Sequence, residues 1–172
     1  MADADLSLAR KGDPAAFERL VTPHLKGLYG FICKRTGAMA DDVYQETLLS
    51  AWRALPGFRE GSTLKTWLYA IADYKCLDAL RKKGREPQPA EPDEDMQSPG
   101  FEEGSLRRME IRRALAGLSG ENQSLLYLLY TQGFTQKEAA DVLGIPEGTV
   151  KSRLSRLRQA LNEMLGGEGD GY

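Results

Sequence analysis

Apolar residues recur at three- and four-residue steps along most of this chain, the signature of amphipathic helices. Phe17, Leu20, Val21, Leu25, Leu28, Tyr29 and Ile32 predict one helix. Pro14 suits its first turn and Asp13 its cap, while Pro23 predicts a kink or a break. A second helix is predicted over about 40–55. Its inner side is Val43, Thr47, Leu48, Ala51, Trp52 and Leu55; its outer side is Asp41, Asp42, Gln45, Glu46 and Arg53. After a loop at 56–61, a third helix starts at Ser62 or Thr63 and runs to about residue 83. Leu64, Trp67, Leu68, Ile71, Leu77 and Leu80 face inward there, and the helix ends in the basic run Arg81-Lys82-Lys83.

The pattern resumes after residue 104. Leu106, Met109, Ile111, Leu115 and Leu118 predict an amphipathic helix broken at Leu118-Ser119-Gly120. Residues 122–131 are apolar nearly all round, which predicts a central helix. Two short helices then read as a helix-turn-helix. Thr135 and Glu138 have capping-box spacing, Gly144 sits where a left-handed residue ends a helix, and Pro146 opens the next one. Val150, Leu154, Leu157 and Leu161 form the buried stripe of that last helix. Thr149, Lys151, Ser152, Arg153 and Arg156 lie mostly off it, and such side chains contact phosphates and base edges. A bare helical hairpin gives the same local pattern without any DNA.

No β-rich segment and no internal repeat interrupts this, so the expected fold is all-α, with two small helical domains. The expected boundaries are 1–85, a linker at 86–104, 105–165, and a frayed tail at 166–172. The linker stretch holds four prolines and, over 86–103, seven acids and no base. Such a composition buries too little apolar surface to offset its ordering entropy. The formal net charge of −2 therefore conceals segregation: residues 1–85 carry 14 Lys/Arg against 10 Asp/Glu, and 145–161 carry four bases against one acid. Local positive potential, more than the total, attracts a polyanion. No apolar run reaches membrane-spanning length, and the acidic start has no apolar core of a signal peptide. Cys33 and Cys76 are far apart and His24 is the single histidine, which argues against a zinc site and for buried thiols in a reducing, cytoplasmic setting. With no Gly-rich phosphate loop, no metal constellation and no nucleophile beside a base, neither a cofactor nor an enzymatic activity is expected.

The third helix interleaves Trp67, Tyr69 and Tyr74 with Lys65, Lys75, Arg81 and Lys82. Aromatic rings stack on the bases of single strands while cations hold the backbone. Trp67 lies on the apolar side and reads as core; Tyr69 and Tyr74 stand open between packing and nucleic-acid contact.

Three motifs in this order resemble the extracytoplasmic function (ECF) group of bacterial RNA polymerase sigma factors. Asp42-Val43-Tyr44-Gln45-Glu46-Thr47 with Ala51-Trp52 is similar to the region 2.2 motif. Thr66-Trp67-Leu68-Tyr69-Ala70-Ile71-Ala72, followed by Leu77-Asp78-Ala79-Leu80-Arg81, is similar to regions 2.3 and 2.4. Gly144-Ile145-Pro146-Glu147-Gly148-Thr149-Val150-Lys151-Ser152-Arg153-Leu154 is similar to region 4.2. The resemblance implies that Asp41, Asp42, Gln45 and Glu46 meet core RNA polymerase. It implies that Phe58, Arg59, Ser62, Lys65, Tyr69, Tyr74, Lys75, Arg81 and Lys82 take the −10 element of promoter DNA and hold its non-template strand. Gln136, Lys137, Thr149, Lys151, Ser152, Arg153 and Arg156 would take the −35 element. An anti-sigma factor, membrane-bound in some cases, is the further partner implied. Two departures stand out: Asp73-Tyr74 replaces a common Arg-Asn, placing an acid toward the DNA path, and Tyr44 replaces a smaller aliphatic residue.

Two other readings fit parts of the chain. One is a free-standing helix-turn-helix regulator with a sensing N-terminal half, which the acidic helix face and the aromatic-basic helix argue against. The other is a sigma-like decoy that binds an anti-sigma partner without reading DNA, which Asp73 keeps open.

Overall fold

A computed structural model describes residues 2–59, 61–84 and 105–166, and among them all regular structure is helical. The linker and tail expectations lie outside the described residues, as do the side chains of Ala2 and Ser105. Helix α1 spans Ala2–Arg10, α2 Pro14–Thr36, α3 Ala40–Ala54 and α4 Leu64–Lys83. After the linker come α5 at Ser105–Ala116, α6 at Gly120–Leu126, α7 at Gln136–Leu143 and α8 at Glu147–Met164. Short 3-10 turns at Gly37–Met39 and Leu55–Gly57 close the corners of the first module. A π-helical turn, Tyr127–Thr131, continues α6.

Local chemistry sets the helix starts. The Asp13 carboxylate accepts from the N–H groups of Ala15 and Ala16, and the Thr63 hydroxyl accepts from Thr66. Pro23 lies inside α2 and does not end it. Proline removes one rung of the ladder there, and burial of Val21, Leu28, Phe31 and Ile32 on either side holds the helix through it. Helix α1, which the periodicity did not single out, packs on α2 and on the 55–57 turn. Its Ala9 joins Ala16, Leu55 and Phe58 in a small satellite core.

The main core is continuous across both modules. Val21, Leu28, Phe31, Leu68, Tyr69 and Cys76 from the first join Leu118, Leu125, Leu128, Phe134, Ala139 and Leu154 from the second. Helix α2 packs on α6, and α4 packs on α7. The apolar 122–131 segment is central as expected, but central to the whole molecule. One face meets its own helix-turn-helix and the other meets α2. The amphipathic helix α5 packs only in part: Leu106, Met109 and Ile111 are exposed, and its C-terminal end is buried at Ala114.

Candidate nucleic-acid interface

The acidic face of α3 forms first from its position at a helix start. Asp41 and Asp42 occupy the first turn, where the positive end of the helix dipole favours carboxylates. Asp41, Asp42, Gln45 and Glu46 are all exposed and share one end and side of the helix. The Tyr29 hydroxyl donates to Asp41 Oδ1 at 2.7 Å, and this bond raises the phenol's pKa above its ordinary value. Tyr44 meets the Tyr29 ring edge-on at 5.3 Å, so the larger residue at that position supports the acidic face from behind. Glu46 also lies 4.0 Å from Lys75 of α4, which brings a residue assigned to polymerase beside one assigned to DNA.

Helix α4 divides the expected −10 residues into an outer and an inner set. Arg59, Ser62, Tyr74, Arg81 and Lys82 are exposed, with Tyr74 at 64%. Lys82 pairs with Asp78 one turn back at 3.0 Å. Phe58 is buried, its ring 5.0 Å from Trp67, with the Arg10 guanidinium over it and bonded to its carbonyl. Trp67 is core-packed as expected.

Tyr69 is packed inward in this arrangement. It is fully buried between Phe31 and Phe134, and its hydroxyl donates to Gln132 Oε1 at 2.9 Å. Burial raises its pKa, keeping it a neutral donor. Lys65 is turned the same way. Its ammonium donates to the Gln132 carbonyl at 2.5 Å and lies 4.5 Å from the Phe134 ring centroid.

Asp73 does not face the DNA path. It is 3% exposed and accepts from the Arg35 guanidinium at 2.8 Å, inside the core. A carboxylate on the inward side of α4 needs a charged partner there, and Arg35 of α2 supplies it. Burial raises the Asp73 pKa, opposed by the adjacent guanidinium.

The helix-turn-helix has its predicted local chemistry. Thr135 Oγ1 accepts from the Glu138 N–H at 3.1 Å, and Glu138 Oε2 accepts from the Thr135 N–H at 2.8 Å. Gly144 caps α7 at φ 61°, a left-handed conformation that costs glycine little. Pro146 stands one residue earlier than expected, as the cap of α8. Lys151, Ser152 and Arg156 are exposed on α8, with Lys137 exposed on α7 and Thr149 and Gln136 half-buried. Arg153 is half-buried and lies 3.4 Å from Glu121. Gln136, Lys151, Ser155 and Arg158 border one shallow groove over Leu154. Ser155 and Arg158 extend the basic face beyond the residues singled out from sequence; Arg158 lies seven after Lys151, on the same side of the helix.

Sequence reading also missed Arg35, Glu121 and Gln132. A basic residue near a helix end reads as solvated unless its buried partner is known. Among the described residues, no group of three or more His, Cys, Asp or Glu is placed to hold a metal ion, and no helix is long and apolar enough to cross a membrane.

Comparison with known proteins gives these surfaces a family. The model of Sigma-70 region 2 matches residues 20–86, and that of Sigma-70 region 4 matches 108–161. The ECF RNA polymerase sigma factor SigM of Mycobacterium tuberculosis is 34% identical, over 95% of this chain and 85% of its own. The RNA polymerase sigma-H factor of Pseudomonas aeruginosa is 31% identical, over 91% of this chain and 89% of its own. Among solved structures, CnrH in complex with the cytosolic domain of CnrY superposes with a TM-score of 0.67 at 26% identity, covering 98% of this chain and all of that one. The sigma factor RpoE of Bartonella quintana, in complex with the anti-sigma factor NepR, has a TM-score of 0.66 at 32% identity and covers 89% of this chain and 98% of its own. Two region models in the right order and full-length relatives at this identity decide the matter: the chain belongs to the ECF group of RNA polymerase sigma factors.

Proposed function

We propose that this sigma factor directs core RNA polymerase to promoters through three separate surfaces. Asp41, Asp42, Gln45 and Glu46 of α3 dock on core polymerase. Arg59, Ser62, Lys65, Tyr69, Tyr74, Lys75, Arg81 and Lys82, with Phe58 supporting the loop, take the −10 element and hold its melted strand. Gln136, Lys137, Thr149, Lys151, Ser152, Arg153 and Arg156 take the −35 element in the major groove. The chain acts in the cytoplasm, does no covalent chemistry, and is held by an anti-sigma partner; RpoE, its structural neighbour, forms a complex with the anti-sigma factor NepR.

The observation that carries this reading is the segregation of charge by element. One exposed helix face is acidic, and the outer sides of α4 and α8 are basic. The acidic face suits a basic protein surface and repels DNA, while the basic ones do the reverse. A regulator without a polymerase partner has no use for the acidic face. The test is transcription in vitro with purified core polymerase on a genomic template. Start sites that depend on the added chain are expected. Failure to direct any start site refutes the reading.

A further inference from the structure

The loop assigned to the −10 element hangs between two fixed posts. Its far post is Thr63, whose hydroxyl caps α4. Its near post is Phe58, where the chain leaves the 3-10 turn in an extended conformation, φ −63° and ψ 125°. Between them Arg59, Gly61 and Ser62 are exposed, and the Gly61 N–H donates back to the Arg59 carbonyl at 2.8 Å. Where those exposed groups stand therefore depends on how Phe58 is held.

Phe58 is held through its backbone and its ring together. Its N–H donates to the Leu55 carbonyl at 3.0 Å. Its ring packs 5.0 Å from Trp67 of α4. The Arg10 guanidinium lies over the same ring, 5.9 Å from its centroid, and donates through Nη2 to the Phe58 carbonyl. A flat fork with five donors can stack and bond at once. Arg10 is the last residue of α1, forty-eight positions before its partner. This grip has a cost: Arg10 Nε is buried with no hydrogen-bond partner among the described residues. An unpaired buried donor opposes folding. A side chain kept for stability alone would fill this satellite core without that cost, as methionine does.

We infer that Arg10 is a positioning residue for −10 recognition: α1 is the backstop of the loop, and Arg10 sets where Arg59 and Ser62 meet the promoter strand. The inference deepens the proposed role of this loop and rests on it. Arg10 touches no base. It acts through the Phe58 carbonyl, which belongs to the peptide joining Phe58 to Arg59, so a loosened peptide is felt first by the Arg59 side chain. A bond to a base edge depends on placement, whereas a phosphate contact carries no sequence information. Loss of Arg10 thus blurs the choice of base at the −10 element more than it weakens attachment to DNA or to polymerase.

The test uses the full-length chain with core polymerase and a promoter library randomised over the −10 element, its −35 element held constant. Arg10→Met keeps an apolar stem in the satellite core and removes the donor and the charge. Arg10→Lys keeps the charge and a single point donor. Circular dichroism reads helix content, co-purification reads docking on core, and transcript sequencing reads base preference position by position. Arg10→Met is expected to match the wild type in helix content and co-purification, and to lose about tenfold of its discrimination at the most selective −10 position. Arg10→Lys is expected to fall between the two. A fall in total transcription with base preferences unchanged marks a merely structural role and overturns the proposal. Should Arg10→Met lose helix content, Arg10→Lys decides, and a preference profile equal to the wild type's overturns it there. The wild-type chain, measured alongside, separates the two ideas. No initiation by it refutes the promoter reading and this inference together. Selective initiation by the wild type, with an equal profile in the variants, rejects the role of Arg10 alone.

Discussion

At the scale of single residues, Asp73 and Arg35 carry the sharpest energetic consequence. Both are almost fully buried, and each is the other's charged partner at 2.8 Å. Removing one partner of such a pair strands the other charge, which costs about 3–5 kcal/mol. Asp73→Leu is expected to lower unfolding free energy by about that amount in urea titrations. Asp73→Asn costs less, because its amide oxygen still accepts from the guanidinium. The double variant Arg35→Leu with Asp73→Leu recovers part of the loss, since no charge is left stranded. His24 sets a pH dependence of its own. Burial first, and the positive charge of Lys65 second, hold its pKa below the ordinary value of 6.5. The folded state thus binds the proton less readily than the unfolded chain. Its contribution to stability is intact above 6.5 and declines as pH falls toward the lowered folded value. It is the one histidine in the chain, so its imidazole NMR signals report this directly. His24→Gln is expected to flatten the stability profile in that window.

At the scale of elements, α3 sets an exposed acidic side against a buried apolar one. Its acidic residues are exposed while Val43, Thr47 and Ala51 face the core. Asp42→Arg with Gln45→Ala is therefore expected to keep the melting temperature near wild type and to abolish co-purification with core polymerase. Retained co-purification rejects the docking role. This division was legible from the sequence, because a helical period states which side is apolar whatever covers it. The caps were legible for a related reason. Asp13, Thr63, Thr135 and Gly144 act on backbone groups within a few residues. What stayed hidden was set by distant chain. Tyr69 reads equally as a stacking platform or as core, and the sequence around it does not announce that Phe134, sixty-five positions later, packs against its ring. Asp73 looks like a surface acid until Arg35 is placed beside it. The apolar residues of α5 read as an amphipathic helix, and the helix is there, but Leu106, Met109 and Ile111 are exposed. The groove over Leu154 was half legible. Gln136 and Lys151 were named from the sequence, whereas Ser155 and Arg158, which border the same groove, were not.

At the scale of the whole molecule, one core serves both modules. Leu125 and Leu128 are fully buried in the same cluster as Leu28 and Phe31. Neither module keeps that apolar surface covered if the other unfolds around it. A single cooperative thermal transition is expected, with calorimetric and van't Hoff enthalpies in agreement. Two resolved transitions indicate modules that melt independently and a weak shared core.

The π-helical turn at Tyr127–Thr131 has a wider bearing than its five residues suggest. A π-turn holds one more residue than the α-helical turn it replaces. Deleting a single residue there would rewind the segment into regular α-helix. The extra residue is absorbed within that one turn, so the chain after it would keep about its present bearing relative to α6. What would change is which way Tyr127 and Gln132 face, and with it their bonds to the Gly27 carbonyl and the Tyr69 hydroxyl, so one deleted residue loosens the joint between the two modules.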